Sequence, residues 1–175
     1  MRKKLIKLFV TTSILALIVI CFLVYFNYYK IHFLFQPFTT NPEYDSAGTS
    51  YSYQITSIDF EMSSWEESSG TFYINILNTG LESMPNYCDV ALTLVSEKTN
   101  EPIMIAINTD SSTWNSGTTT LEVPVDLRDV GFGYYSMYLR IWNDDAAEEF
   151  TLNNSLRIER EGYYLGTMSI QHIFQ

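Results

Sequence analysis

Beyond position 50 the chain alternates apolar and polar residues in short runs, separated by stretches rich in Gly, Asn, Ser and Thr. An alternation of period two marks strands with one face on a core and one in solvent. YSYQITSIDF alternates and ends at SWEESSG, TFYINILN follows, and TGLESMPNY separates it from CDVALTLVS. EKTNE reads as a hairpin turn between CDVALTLVS and PIMIAIN. After TDSSTWNSG comes TTTLEVPV, where Pro124 points to an edge position, since proline has no N–H for a second ladder. The remaining runs are GYYSMYLRIW, a short strand around FTLN or SLRIE, and YYLGTMSIQHIF. No segment after Phe38 sustains a helical period. The pattern predicts an all-β fold: an antiparallel immunoglobulin-like β-sandwich of seven or eight strands over 51–175.

The first thirty residues follow a different pattern. Arg2, Lys3, Lys4 and Lys7 precede an uncharged run from Leu8 to Phe26. Nineteen residues at ~1.5 Å each give about 29 Å of helix, close to the hydrocarbon thickness of a bilayer. The expectation is one N-terminal transmembrane helix, an uncleaved signal-anchor over 8–26, with 1–7 as a basic cytoplasmic segment. A cleaved signal peptide competes with this reading, as does a buried core helix. The first has a shorter apolar core and ends at small residues, and no such site follows Phe26. A lipoprotein site at Cys21 would put Ile20 where a small residue belongs. Residues 27–50 read as an aromatic juxtamembrane segment, with Ile31 to Phe38 lying against headgroups, followed by a polar stalk. The protein is thus expected at the cell membrane, single-pass, with its C-terminal domain outside the cytoplasm.

Charge sharpens this division. Five of the ten basic residues lie in the first thirty positions, and all twenty acids lie after position 42. From Asn41 onward the balance is 5 minus 20, or −15. A body this acidic repels nucleic acid, which is excluded as a partner. Cys88 is alone in the outer domain, so no disulfide forms within it. Asn153-Asn154-Ser155 fits a glycosylation sequon, informative only in a eukaryotic host.

Catalysis needs a base, a nucleophile or a metal within reach of one another. The two histidines, His32 and His172, have no metal-ligand neighbours at useful spacing. Neither a nucleophile elbow nor a zincin motif nor a phosphate-cradling loop is present. Glu66-Glu67 and Asp144-Asp145 are acid pairs of the type glycosidases use, but on loops of an acidic domain they read as solvated charge. No enzyme activity and no cofactor are expected. Calcium is the alternative: Asp144, Asp145, Glu148 and Glu149, with Asn143, are hard oxygen donors in one loop, without the spacing of an EF-hand. NTDSSTWNSG is a second oxygen-rich loop, with no clearer spacing.

The aromatic residues carry the remaining signal. In GFGYYSMYLRIWNDD one face collects Tyr135, Met137, Leu139 and Ile141, a core face. The other collects Tyr134, Ser136, Tyr138, Arg140 and Trp142. Trp65, Trp114 and Trp142 fall at or beside predicted loops. Flat rings with Asn and Asp beside them suit stacking on sugar faces. Plugging the ends of the core, or cover by another segment or chain, accounts for them equally. The expected ligand-binding set is Trp114, Tyr134, Tyr138, Arg140 and Trp142.

The order of NTGLESMPNYCDVALTL, STWNSG, GYYSMYLRIWND and YYLGTMSI resembles the C-terminal β-sandwich module of an uncharacterised bacterial family. That module is found after barrel domains that look like glycoside hydrolases. The matching features are the turn Asn78-Thr79-Gly80, Trp114 with Gly117, the strand from Gly133 to Asp144, and Tyr163 or Tyr164 with Leu165 and Gly166. The similarity spans about Ile55 to Ile170. The barrel is missing and a membrane anchor stands in its place, so the resemblance implies an accessory module with no catalytic residue to transfer. Two functions follow as expectations. The first is a non-catalytic module binding a glycan or the cell envelope. The second is a protein-interaction module docking an envelope enzyme or assembly.

Overall fold

The computed structural model describes residues 12–21, 29–39, 51–64, 68–83, 87–143 and 150–172. Its strands are β1 (Tyr29–Phe35), β2 (Tyr53–Ser64), β3 (Ser69–Asn78), β4 (Asp89–Ser96), β5 (Pro102–Ala106), β6 (Gly117–Asp126), β7 (Gly133–Trp142), β8 (Ile158–Glu159) and β9 (Gly162–His172). They form two sheets. The large one runs β1-β9-β7-β4-β5, with β8 also paired to β9, and the small one runs β2-β3-β6. All pairings between these strands are antiparallel. The all-β sandwich read from the alternation is therefore the fold, and Pro124 does lie on an edge strand, β6.

The inward residues of each strand meet in one core. Phe72, Ile74 and Ile76 of β3 and Leu121, Val123 and Val125 of β6 face Leu92 and Leu94 of β4 and Met137 and Leu139 of β7, all at most 5% exposed. Each such side chain contributes roughly 1.5–3 kcal/mol by leaving water. On β2 the alternation slips by one: Ile55 and Ile58 both point inward because a bulge falls between Ile55 and Ser57. An extra residue in one strand reverses its facing, and the spacing of Ile55, Ile58 and Phe60 records that reversal.

The crossover from β6 to β7 is tied down twice. Asp126 caps the helical turn Leu127–Val130 by accepting from the Arg128 amide at 2.9 Å. The Tyr135 hydroxyl donates back to the Val130 carbonyl, the same device as the tyrosine corner of β-sandwiches. Its burial pushes the Tyr135 phenol pKa up.

One segment differs from the sequence reading. Ile31 to Phe38 was expected to lie against headgroups, but Tyr29–Phe35 is a strand at the edge of the large sheet, in register with β9 from Tyr29↔His172 to Phe35↔Gly166. Ile31, Phe33 and Phe35 pack against the core, and the Phe33 ring sits 5.1 Å from Phe60 and 5.5 Å from Phe72. Gly166 permits the approach: a Cβ there would lie 2.1 Å from the Leu34 carbonyl oxygen, and its φ of +142° disfavours any other residue. The domain thus begins more than twenty positions before Tyr51.

Residues 12–21 are helical, and all ten are exposed. Among the described residues no helix is long and apolar enough to cross a membrane. The rest of the apolar run Leu8 to Phe26 lies outside the described residues.

Candidate functional site

The candidate face is the outward side of the large sheet, centred on β7. Its inward set is as read from the sequence: Tyr135, Met137, Leu139 and Ile141 are all buried. The outward set divides into three environments.

Tyr138 sits mid-sheet, opposite Thr93 on β4 and Tyr164 on β9. Although it points away from the core it is only 5% exposed. Its hydroxyl donates to the Glu159 carboxylate at 2.7 Å, and its ring meets that of Tyr164 at 5.5 Å. Arg157 lies over the Tyr164 ring at 4.4 Å and bonds Glu159 at 2.7 Å. The short strand β8 and the residues before it therefore fold over this part of the ladder. Burial first, and the Glu159 carboxylate second, push the Tyr138 phenol up to about 12. Tyr138 is thus a structural member of the face, unavailable for stacking on a ligand.

Trp142 ends the strand and is half-buried, with the exposed Arg140 guanidinium 4.9 Å from its ring centroid. The arginine holds the indole in place by cation–π attraction. Asp89 faces Trp142 across the ladder, and Ala91 faces Arg140, so a small residue forms the floor beside the pair. Asn143, next in the chain, donates its side-chain amide to the Tyr87 carbonyl at 2.6 Å. Tyr87 itself is 53% exposed. The sequence reading did not single out Tyr87 or Asp89; their position one strand away is set by the β4–β7 register.

Tyr134, at the opposite end of β7, is 56% exposed, and its hydroxyl accepts from the Gln171 side-chain amide at 2.8 Å. Next to this end, Thr167, Ser136 and Val95 form an uncharged outward row across β9, β7 and β4, with Leu34 of β1 beside Thr167, and Met104 of β5 lies opposite Thr93.

Trp114, the first residue of the expected ligand set, is elsewhere. It is 1% exposed and plugs the end of the core against Tyr53 at 5.8 Å and Phe150 at 6.5 Å. Its indole N–H donates to Thr109, and its carbonyl accepts from the Tyr53 hydroxyl and the Asn78 amide. A ring enclosed on all sides cannot stack on a sugar, so the plug reading is the correct one for this tryptophan. Asn78 closes the same end: it also accepts from the Ser52 and Gly80 amides and donates to the Glu82 carbonyl. The Asn78-Thr79-Gly80 turn is therefore a bracket for the core.

Trp65 and the acids Asp144, Asp145, Glu148 and Glu149 lie outside the described residues. Among the described residues no group of three or more His, Cys, Asp or Glu side chains is placed to hold a metal. His32 is exposed on β1. Cys88 is buried, and burial pushes its thiol pKa up, away from the reactive thiolate. Asn154, inside the sequon, is 5% exposed and pairs with both backbone groups of Ile55, accepting at 2.6 Å and donating at 3.1 Å.

No family model and no curated protein matches this chain. Among solved structures it is similar to the solution structure of a protein provisionally assigned to the late embryogenesis abundant (LEA) class. The identity is 16%, over 73% of this chain and 75% of that one, with a TM-score of 0.42, a likeness too slight to support any argument about fold or function.

Proposed function

We propose that the chain is a non-catalytic module that binds a glycan at the Trp142 end of the large sheet, displayed outside the cytoplasm by an N-terminal membrane anchor. The observation that carries it is the Arg140–Trp142 stack beside Asp89 and the exposed Tyr87. Sugars need flat aromatic faces for their C–H groups and fixed polar groups for their hydroxyls. An indole held by an arginine supplies the first at low entropic cost, and Asp89, Arg140 and Asn143 supply the second.

The anchor is supported by the helical residues 12–21, where Ile14, Leu15, Leu17, Ile18, Val19 and Ile20 are each at least 50% exposed. A helix apolar on every side belongs in a hydrophobic medium. The immunoglobulin-like reading is supported by the strand order, with β2-β3-β6 set against β5-β4-β7-β9. The resemblance to modules that accompany glycoside-hydrolase-like barrels points to carbohydrate context by association alone. A second reading, protein docking, is favoured by the exposed Leu34, Tyr134 and Met104 on the same sheet.

Titrating envelope polysaccharides into the full-length chain in detergent, followed by tryptophan fluorescence, tests the first reading. A saturable shift that disappears in a folded Trp142→Ala variant is expected. If the folded chain responds to no glycan, the glycan reading falls and docking takes its place.

A further inference from the structure

The register of β1 fixes which end of the sandwich faces the bilayer, and so gives the exposed aromatics at that end a partner. We infer that Phe132 and Tyr134 form a membrane-contact edge that enters the headgroup layer and holds the sandwich upright on the surface. This rests on the anchor reading above.

Only Asn27 and Tyr28 separate the apolar run from β1. At a maximum of ~3.6 Å per residue, Tyr29 starts within about 11 Å of the hydrocarbon edge. Tyr29 pairs with His172, Ile31 with Ile170, and Ile170 with Gly133 of β7. Phe132, just before Gly133, is therefore one or two residue steps from the level of Tyr29. Sideways it is two strand spacings away, roughly 10 Å. Phe132 is 57% exposed and Tyr134 56%. The bond from the Gln171 amide to the Tyr134 hydroxyl draws this ring toward the end of β9, which is the same end. Large exposed aromatics so close to a bilayer surface are the residues that settle at the membrane–water interface.

Charge selects the type of lipid surface. The loops at this end carry Glu97, Glu101, Asp126 and Asp129 against Lys98 and Arg128. Acids outnumber bases, so the contact is with a zwitterionic headgroup layer and is made by the rings. The orientation also places the Trp142 end away from the membrane. β7 runs ten residues from Gly133 to Trp142, about 30 Å. A site for an envelope ligand at that height is presented outward, clear of the lipid.

The test uses the full-length chain in phosphatidylcholine nanodiscs, with Cys21→Ser and the buried Cys88 left in place. Phe132→Cys, Tyr134→Cys and, as the far-end control, Tyr87→Cys are each labelled with an environment-sensitive fluorophore and checked for folding by circular dichroism. A spin-labelled headgroup lipid should quench the labels at 132 and 134 several-fold more than the label at 87. Equal quenching at all three sites in a chain that resists carbonate extraction would overturn the contact and leave the anchor standing. A chain stripped from the bilayer by carbonate would remove the anchor reading, and the contact with it.

Discussion

The two outward faces of the sandwich are built by the same alternation and dispose of it differently. On the small sheet most outward residues are polar, and one row of them, Ser57, Asn75 and Thr120, bonds across all three strands. The Thr120 hydroxyl donates to the Asn75 side-chain oxygen Oδ1 at 2.6 Å, and the Asn75 side-chain amide donates to Ser57 Oγ at 2.8 Å. One step along, Tyr73 stands between Glu122 and Asp59. On the large sheet the outward residues include several aromatic and apolar side chains, and the chain covers only part of them. Glu159 and Arg157 close over Tyr138 and Tyr164, while Tyr134, Leu34 and Met104 remain exposed and Trp142 half so. A polar face whose groups bond each other has no unmet demand. A face that keeps large rings near water is where the proposed binding falls.

The sharpest break in that comparison sets the two described tryptophans against each other. Trp114→Ala should cost about 3–5 kcal/mol, because it empties the end of the core and orphans Thr109. Trp142→Ala should stay within about 1 kcal/mol, since it removes only a half-exposed ring and one cation–π contact. Urea unfolding of both variants measures the difference. Comparable losses would mean that Trp142 is a second core plug, and the proposed glycan site would lose its aromatic platform.

Next in size is Gly166→Ala, which presses a methyl group into the Leu34 carbonyl and should cost about 2–3 kcal/mol. Hydrogen exchange should show 31–35 losing protection while the small sheet keeps its own. Uniform deprotection would mean that β1 is integral to the core and does more than widen the sheet.

Tyr138→Phe removes the bond to Glu159 and should cost about 1 kcal/mol. It also carries a pH signature. The Tyr138 phenol is raised from 10.0 to about 12 in the fold. The folded chain therefore keeps a proton that the unfolded chain releases. The stabilisation is complete below pH 10 and is lost as pH rises through about 12. Urea midpoints across that window should fall less steeply in Tyr138→Phe than in the parent chain.

The smallest effect is expected on the polar face. Thr120→Ala breaks an exposed bond and should change stability by no more than about 0.5 kcal/mol. It should leave any ligand response unchanged.

Most of the fold was legible because alternation is local. Seven of the strands appear in the sequence as runs of period two, and Pro124 announced an edge. The bulge in β2 was missed: YSYQITSIDF reads as plain alternation, and the slip after Ile55 emerges only from the pairing with β3. β1 was not legible, although Ile31, Phe33 and Phe35 alternate. Leu34 breaks the polar side of the pattern, and the run follows directly on an apolar stretch that draws it into a membrane reading. Only the close approach at Gly166, some 130 positions later, reveals its partner. The candidate site was half legible. Arg140 and Trp142 stand two apart on one outward face, which the strand period alone implies. Tyr87 and Asp89 join them through the register of β4 on β7, which no local pattern encodes.

The sequence by itself determined that this protein is a two-sheet sandwich with an acidic body and an apolar N-terminal run, because facing, charge and turn chemistry are properties of neighbouring residues. Which aromatic rings stay available was decided by tertiary structure alone. Trp114 and Trp142 have similar local surroundings, yet one is sealed by Tyr53 and Phe150 and the other is only propped by Arg140. Tyr134 and Tyr138 lie on the same face of the same strand, yet a segment twenty residues further on covers one and leaves the other in solvent. Exposure depends on what else the chain brings to a place, and that is fixed only when distant segments meet.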